Sequence, residues 1–109
     1  MALALVNSGT QSATPGTEHT LDTITSGKTL VLVVDVAAML SGDVLTLRIY
    51  TKCLSGGVER LAYEATYANV QGTPIKYSIP VPANISFKAA LLQEAGSTRD
   101  FPWSILSLD

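Results

Sequence analysis

His19, Cys53 and nine acidic residues are the side chains from which this 109-residue chain could build an active site. His19 is the only histidine, so a Ser-His-acid triad would have to use it. No Gly-x-Ser-x-Gly elbow accompanies it. It follows a stretch rich in Ser, Thr, Gly and Pro, and it reads as a histidine at the start of a strand. His19 and Cys53 together fall short of the three or four ligands that zinc requires. Cys53 follows Lys52, a neighbour that favours thiolate chemistry. A lone cysteine at a strand end is nevertheless read as a small core residue.

The carboxylates Glu59, Glu64, Glu94 and Asp100 raise the question of glycoside hydrolysis. That chemistry needs two carboxyl groups held about 5 to 10 Å apart across a cleft, and no spacing here fixes such a pair. Glu64 shares a strand face with Arg60 and Thr66, so a surface ion pair is its expected use. Asp35 and Asp43 flank a loop, but Ca²⁺ takes six or more oxygens and no ligand-rich run is present. No Gly-rich phosphate loop of the P-loop kind occurs. These readings lead to no catalytic residue, no metal ligand and no cofactor.

Aromatic residues are the remaining candidates for contact. Tyr63, Tyr67 and Tyr77 fall on the apolar faces of their strands, which assigns them to the core. Tyr50 falls with Thr46 and Arg48 on a more polar face, making it the better candidate for a contact surface.

The elements that would carry these residues follow a period of two. Residues 20–24 form a candidate strand, closed by a turn at Ser26-Gly27. Residues 28–36 (KTLVLVVDV) are apolar on both faces until Asp35 and read as a buried central strand. Residues 35–40 could make one helical turn, with Asp35 as N-cap and Gly42 ending it. Leu45, Leu47 and Ile49 alternate with Thr46, Arg48 and Tyr50. After the Ser55-Gly56-Gly57 turn, Leu61, Tyr63, Ala65 and Tyr67 face one way and Arg60, Glu64 and Thr66 the other. Ile75, Tyr77, Ile79 and Val81 alternate with Lys76, Ser78 and Pro80, and Pro80 and Pro82 put this strand at an edge. Ile85, Phe87, Ala89 and Leu91 follow. Phe101, Trp103 and Ile105 complete the last strand, with Leu106 and Leu108 on its opposite face.

The expected fold is all-β: a single antiparallel β-sandwich or jelly roll of seven or eight strands. Residues 18–109 are its domain. Residues 1–17 are an N-terminal arm or edge strand with a flexible loop. Residues 1–6 are apolar enough to pair with a strand, and an edge strand of the same domain is slightly preferred to an arm crossing to a neighbouring subunit. Residues 7–17 (NSGTQSATPGT) read as loop.

Composition narrows the partners. A chain this long buries roughly two-thirds of its unfolded surface, enough for one core without metals or disulfides. With one cysteine, no intramolecular disulfide forms. Hydrophobic residues make up 47% and charged residues only 15%, below the roughly one-quarter of a typical domain. Such a surface hints that part of it is covered by a partner. The net charge is -2 and the seven basic residues are scattered, so no nucleic-acid ligand is expected. The longest apolar stretch, residues 29–40, is too short to span a bilayer and no membrane partner is expected. Residues 1–6 lack the basic start of a signal peptide.

One further pattern has a family look. Residues 36–50 (VAAMLSGDVLTLRIY), a Gly-rich hairpin, residues 79–81 and then Gln93-x-x-Gly96-x-x-Arg99-x-Phe101-x-Trp103-Ser104 resemble small structural proteins encoded in tailed-phage genomes. The resemblance covers roughly the C-terminal three-quarters of the chain. It implies a virion component made in the host cytoplasm, a decoration (cement) protein on the capsid surface. Its implied partners are the major capsid protein and its own copies, a trimer ahead of a dimer, and it would have no catalytic role. A glycan- or receptor-binding module of a tail or fibre is the alternative. Within the motif, Gly96, Arg99 and Trp103 are expected to shape the last turn and strand.

Overall fold

Leu30, Leu32 and Val34 are fully buried and lie on one face of β3 (Lys28–Asp35), the centre of the first sheet in a computed structural model that describes residues 3–25 and 27–108. β3 pairs antiparallel with β9 (Arg99–Leu108) on one side. On the other side it pairs with two short strands in succession, β6 (Ile75–Tyr77) and β7 (Val81–Ala83). β9 in turn pairs with β1 (Leu3–Ala13), which ends this five-stranded sheet. The second sheet runs β2 (Glu18–Ile24), β8 (Phe87–Ala95), β4 (Val44–Thr51), β5 (Arg60–Ala68), again wholly antiparallel. The protein is therefore all-β, with nine strands in two antiparallel sheets among the described residues.

One apolar core draws on both sheets. Leu45, Leu47 and Ile49 of β4 and Phe87, Ala89 and Leu91 of β8 join Leu30, Leu32, Val34, Phe101 and Ile105 of the first sheet. Leu21, Ile24, Tyr63, Tyr67 and Trp103 pack around its rim. The period-two pattern thus has its expected sense in β3, β4, β8 and β9.

Several local readings change. β1 continues through most of the Ser- and Thr-rich segment, and only residues 14–17 turn, closed by a Thr17 N–H to Thr14 carbonyl bond of 3.1 Å. The backbone of β9 satisfies β1, so a run without hydrophobic alternation still forms a strand. Leu3–Val6 belong to the edge of the same domain; residues 1 and 2 lie outside the described residues, as does Ser26 of the expected Ser26-Gly27 turn.

Residues 36–43 make two successive turns in place of a helical one. Met39 N–H donates to the Val36 carbonyl and Asp43 N–H to the Leu40 carbonyl, each at 3.1 Å. Gly42, at φ +90°, takes the position in the second turn that demands the left-handed region. Asp35 acts as expected of a short polar side chain in a turn, accepting the Ala37 N–H at 3.0 Å.

The segment 75–79 is reversed, whereas Val81 is buried as its alternation requires. Ser78 is buried, while Ile75, Tyr77 and Ile79 are exposed. The cause lies in the break between β6 and β7, where β3 passes without a regular strand partner. Ser78 fills that gap: its Oγ accepts the Leu32 N–H at 2.9 Å and its own N–H donates to the Leu32 carbonyl at 2.8 Å. A buried backbone N–H needs a partner, and this one outweighs the apolar pattern. Leu61 also changes sides. A register shift between Ile49 and Tyr50 sets Leu61 opposite Tyr50, on the outer face of the second sheet.

Candidate functional site

The residues singled out for chemistry are dispersed. His19 is half-buried on β2, and its Nε2 accepts the Thr14 N–H at 3.1 Å, tying down the β1–β2 turn. Cys53 is exposed, not in the core. It lines a shallow hollow of about 270 Å³ with Leu54, Val58 and Leu61 at the β4–β5 connection. Among the described residues no group of three or more His, Cys, Asp or Glu side chains comes together as a metal site. No described helix is long and apolar enough to cross a membrane.

Three of the four carboxylates are held by a neighbour. Glu64 pairs with Arg48 Nε at 2.7 Å, in place of the Arg60 expected from the strand pattern. Glu59 pairs with Lys88 at 3.2 Å, and Glu94 accepts the Thr46 hydroxyl at 2.7 Å. Asp100 is exposed on β9, in the other sheet.

Most of these groups form a polar outer face on the second sheet. Arg48 of β4 lies opposite Glu64 of β5 and Ala90 of β8. Glu18 of β2, paired with Leu92 of β8, reaches Arg48 at 3.4 Å and accepts the Tyr50 hydroxyl at 2.8 Å. The Glu64 bond holds the Arg48 guanidinium above its ordinary pKa despite partial burial, with Glu18 adding to the effect. Tyr50 is raised by burial first and by Glu18 second. Lys88 sits 4.6 Å from the centre of the Tyr50 ring. Tyr50, the expected contact residue, is thus already engaged on both its hydroxyl and its ring. Glu18, which the strand pattern did not mark, is the link from β2 to β4.

The motif Gln93-x-x-Gly96-x-x-Arg99 builds a structural latch. Arg99 Nε donates to Asp43 Oδ2 at 2.9 Å, and the Leu40 N–H donates to the same oxygen at 2.8 Å. The Asp43 side chain is 2% exposed. Burial pushes its carboxyl up, but Arg99 and the Leu40 and Ser97 backbones outweigh burial and hold it below the usual range. Gln93 is fully buried, and its Nε2 donates to the Ala95 and Ser97 carbonyls within the β8–β9 turn.

The outer face of the first sheet is different in kind. Cross-strand pairing sets Leu3 beside Leu108, Leu5 beside Leu106, and Leu106 beside Val31. Further along, Ser104 lies beside Val33 and Val33 beside Tyr77, with Asp35 beside Ile75. Leu3, Leu5, Ile75, Tyr77 and the adjoining Ile79 are 42% to 65% exposed. A shallow depression of about 200 Å³ opens here between Val33, Ile75, Pro102 and Ser104. Directly opposed side chains share a face, so Leu3, Leu5, Leu106, Val31, Val33 and Tyr77 make an apolar band across it, while Ser8, Thr10, Ser12 and Ser104 lie on the same face and Asp35 and Asp100 are its charges among the paired residues. The sequence pattern assigns Tyr77 to the core, and the structure exposes it instead. The available signal was the apolar character of both faces in residues 28–36 and 101–108.

No protein-family model matches this chain, no curated protein matches it in sequence, and no solved structure matches its fold.

Proposed function

We propose that this protein is a jelly-roll β-sandwich that works by surface contact, without catalysis, as a decoration protein on a phage capsid. The strand pairing supports the fold reading. β1 pairs with β9, β2 with β8, β3 with β6 and β7, and β4 with β5. That is one long antiparallel ribbon folded on itself, with its pairs dealt alternately into two sheets, which is how a jelly roll arises. The shortest dimension, 18 Å, suits two sheets packed about 10 Å apart with side chains on their outer faces.

The observation that carries the functional reading is the apolar band on the outer face of the first sheet. Large exposed apolar patches mark contact surfaces. The opposite face carries its own ion pairs over most of its width, with Leu61 exposed at one end, so the first sheet offers the side better suited to a broad partner. Repetition over many equivalent sites makes modest contacts sufficient on a shell. The resemblance of residues 36–104 to tailed-phage structural proteins points to the major capsid protein as that partner.

The test is cosedimentation of purified protein with intact source-phage shells that lack it. Saturable binding is expected, with loss of binding in Tyr77→Asp while the fold is kept. Wild-type protein that ignores such shells overturns the reading. A glycan-array signal that depends on Tyr77 would instead make it a receptor-binding module of a tail or fibre.

A further inference from the structure

The sheet edges are not alike. β2 carries Glu18 and Asp22, with a register shift between Thr20 and Asp22. β5 carries Arg60 and Glu64. β6 and β7 are three residues each, and prolines stand just before and within β7. Charge, bulges, brevity and proline are the devices that keep a sheet edge from pairing with another chain. β1 has little of this protection. It is eleven residues long and has no charged residue and no proline. Ten residue pairs join it to β9 on one side, and no strand among the described residues pairs with its other side. Residues 3–10 are exposed on both faces. Its one irregularity is the register shift at Val6, which leaves residues 7–13 as a regular run.

We propose that the free edge of β1 pairs antiparallel with β1 of a second copy of this chain, giving a two-fold dimer with one sheet continuous across it. An antiparallel pair of identical strands is two-fold symmetric, so the backbone donors and acceptors that one copy offers are matched by the other. The absence of charge is what selects a second copy. Across a two-fold axis every charge meets the region of its own copy, and like charges in opposed positions are destabilising. β1 brings none, whereas self-pairing of β2 would gather carboxylates. The scale is sufficient as well. The regular run 7–13 extends about 24 Å, and self-pairing along it makes about seven hydrogen bonds, within the range of a stable interface. This dimer replaces the trimer that the phage resemblance implies. It uses the edge of the sheet, whereas the capsid reading uses the face, so either can fail alone.

Sedimentation equilibrium of the full chain over a range of concentrations tests it. The expected mass rises from 11.5 kDa to twice that value. Ser8→Lys with Thr10→Lys places charge on two exposed positions of the edge, and it is expected to weaken dimerisation about tenfold or more. Hydrogen exchange of the unmodified chain gives an independent reading, with residues 3–13 gaining protection as concentration rises. A chain that stays monomeric, one that forms a trimer, or a dimer whose β1 exchange does not depend on concentration overturns the proposal. If the lysine variant does not fold, exchange of the unmodified chain decides. Shell binding lost with the dimer intact would count against the capsid reading alone.

Discussion

Gly96 lies against the carboxylate of Asp43 so closely that a β-carbon on Gly96 would overlap Asp43 Oδ1. Gly96 also stands at φ +102°, where L side chains are strained. Two independent constraints therefore require glycine at this point, and both come from the turn that brings Arg99 to Asp43. Gly96→Ala is expected to lower the unfolding free energy by about 2 to 4 kcal/mol. Urea denaturation checks this, and a loss under about 0.5 kcal/mol would mean that the turn relaxes freely.

Asp43 makes stability depend on pH in acid. Its carboxyl is held below the ordinary value of 3.8 in the fold. The unfolded chain then binds its proton first as pH falls, so the contribution is fully present above the unfolded value and is lost as pH drops through the folded one. Stability is expected to fall below about pH 4, and Asp43→Asn should flatten that part of the curve. Denaturation midpoints between pH 2 and 6 for both proteins measure the difference.

Ser78→Ala removes the side-chain acceptor of the Leu32 N–H in the middle of the first sheet. A buried donor left unsatisfied costs about 1 to 3 kcal/mol. Exchange of the Leu32 amide should quicken in the variant by more than that of its neighbours Val31 and Val33.

Arg48→Met should do little by comparison. Its partners Glu18 and Glu64 are partly exposed, with side chains 33% and 43% accessible. Exposed ion pairs contribute about 0 to 1 kcal/mol. A thermal melt should show a small shift that shrinks further in high salt, and shell binding should not change.

Alternation suffices where a strand turns one face to the core. Leu30, Leu32, Leu45, Leu47, Phe87, Leu91, Phe101 and Ile105 reach the core as their alternation requires, because each sits on a strand with one face turned inward. Ser78 breaks the rule because the gap between β6 and β7 leaves Leu32 of β3 to be satisfied by Ser78, a tertiary pairing that Pro80 and Pro82 mark only as an edge. The second half of β1, residues 7–13, hid for the complementary reason: a polar run at a sheet edge has no hydrophobic period to reveal it. The Gln93, Gly96 and Arg99 spacing was visible, but its meaning depends on Asp43, distant in sequence. Glu18 had no marker at all, since only the pairing of β2 with β8 brings it towards Arg48.

The position of β9 has a consequence for how the protein is made. It lies between β1 and β3, inside the first sheet, although it follows both of them, and every other described strand, along the chain. While a ribosome is still producing residues before Arg99, β1 has no neighbour and β3 lacks one of its two flanks. The first sheet must therefore close after synthesis of β9, and folding waits on contacts between β1 and β9, which are far apart in sequence, a topology that folds slowly. Until then both edges are open to other nascent chains, so crowded expression should favour aggregates that slower synthesis avoids.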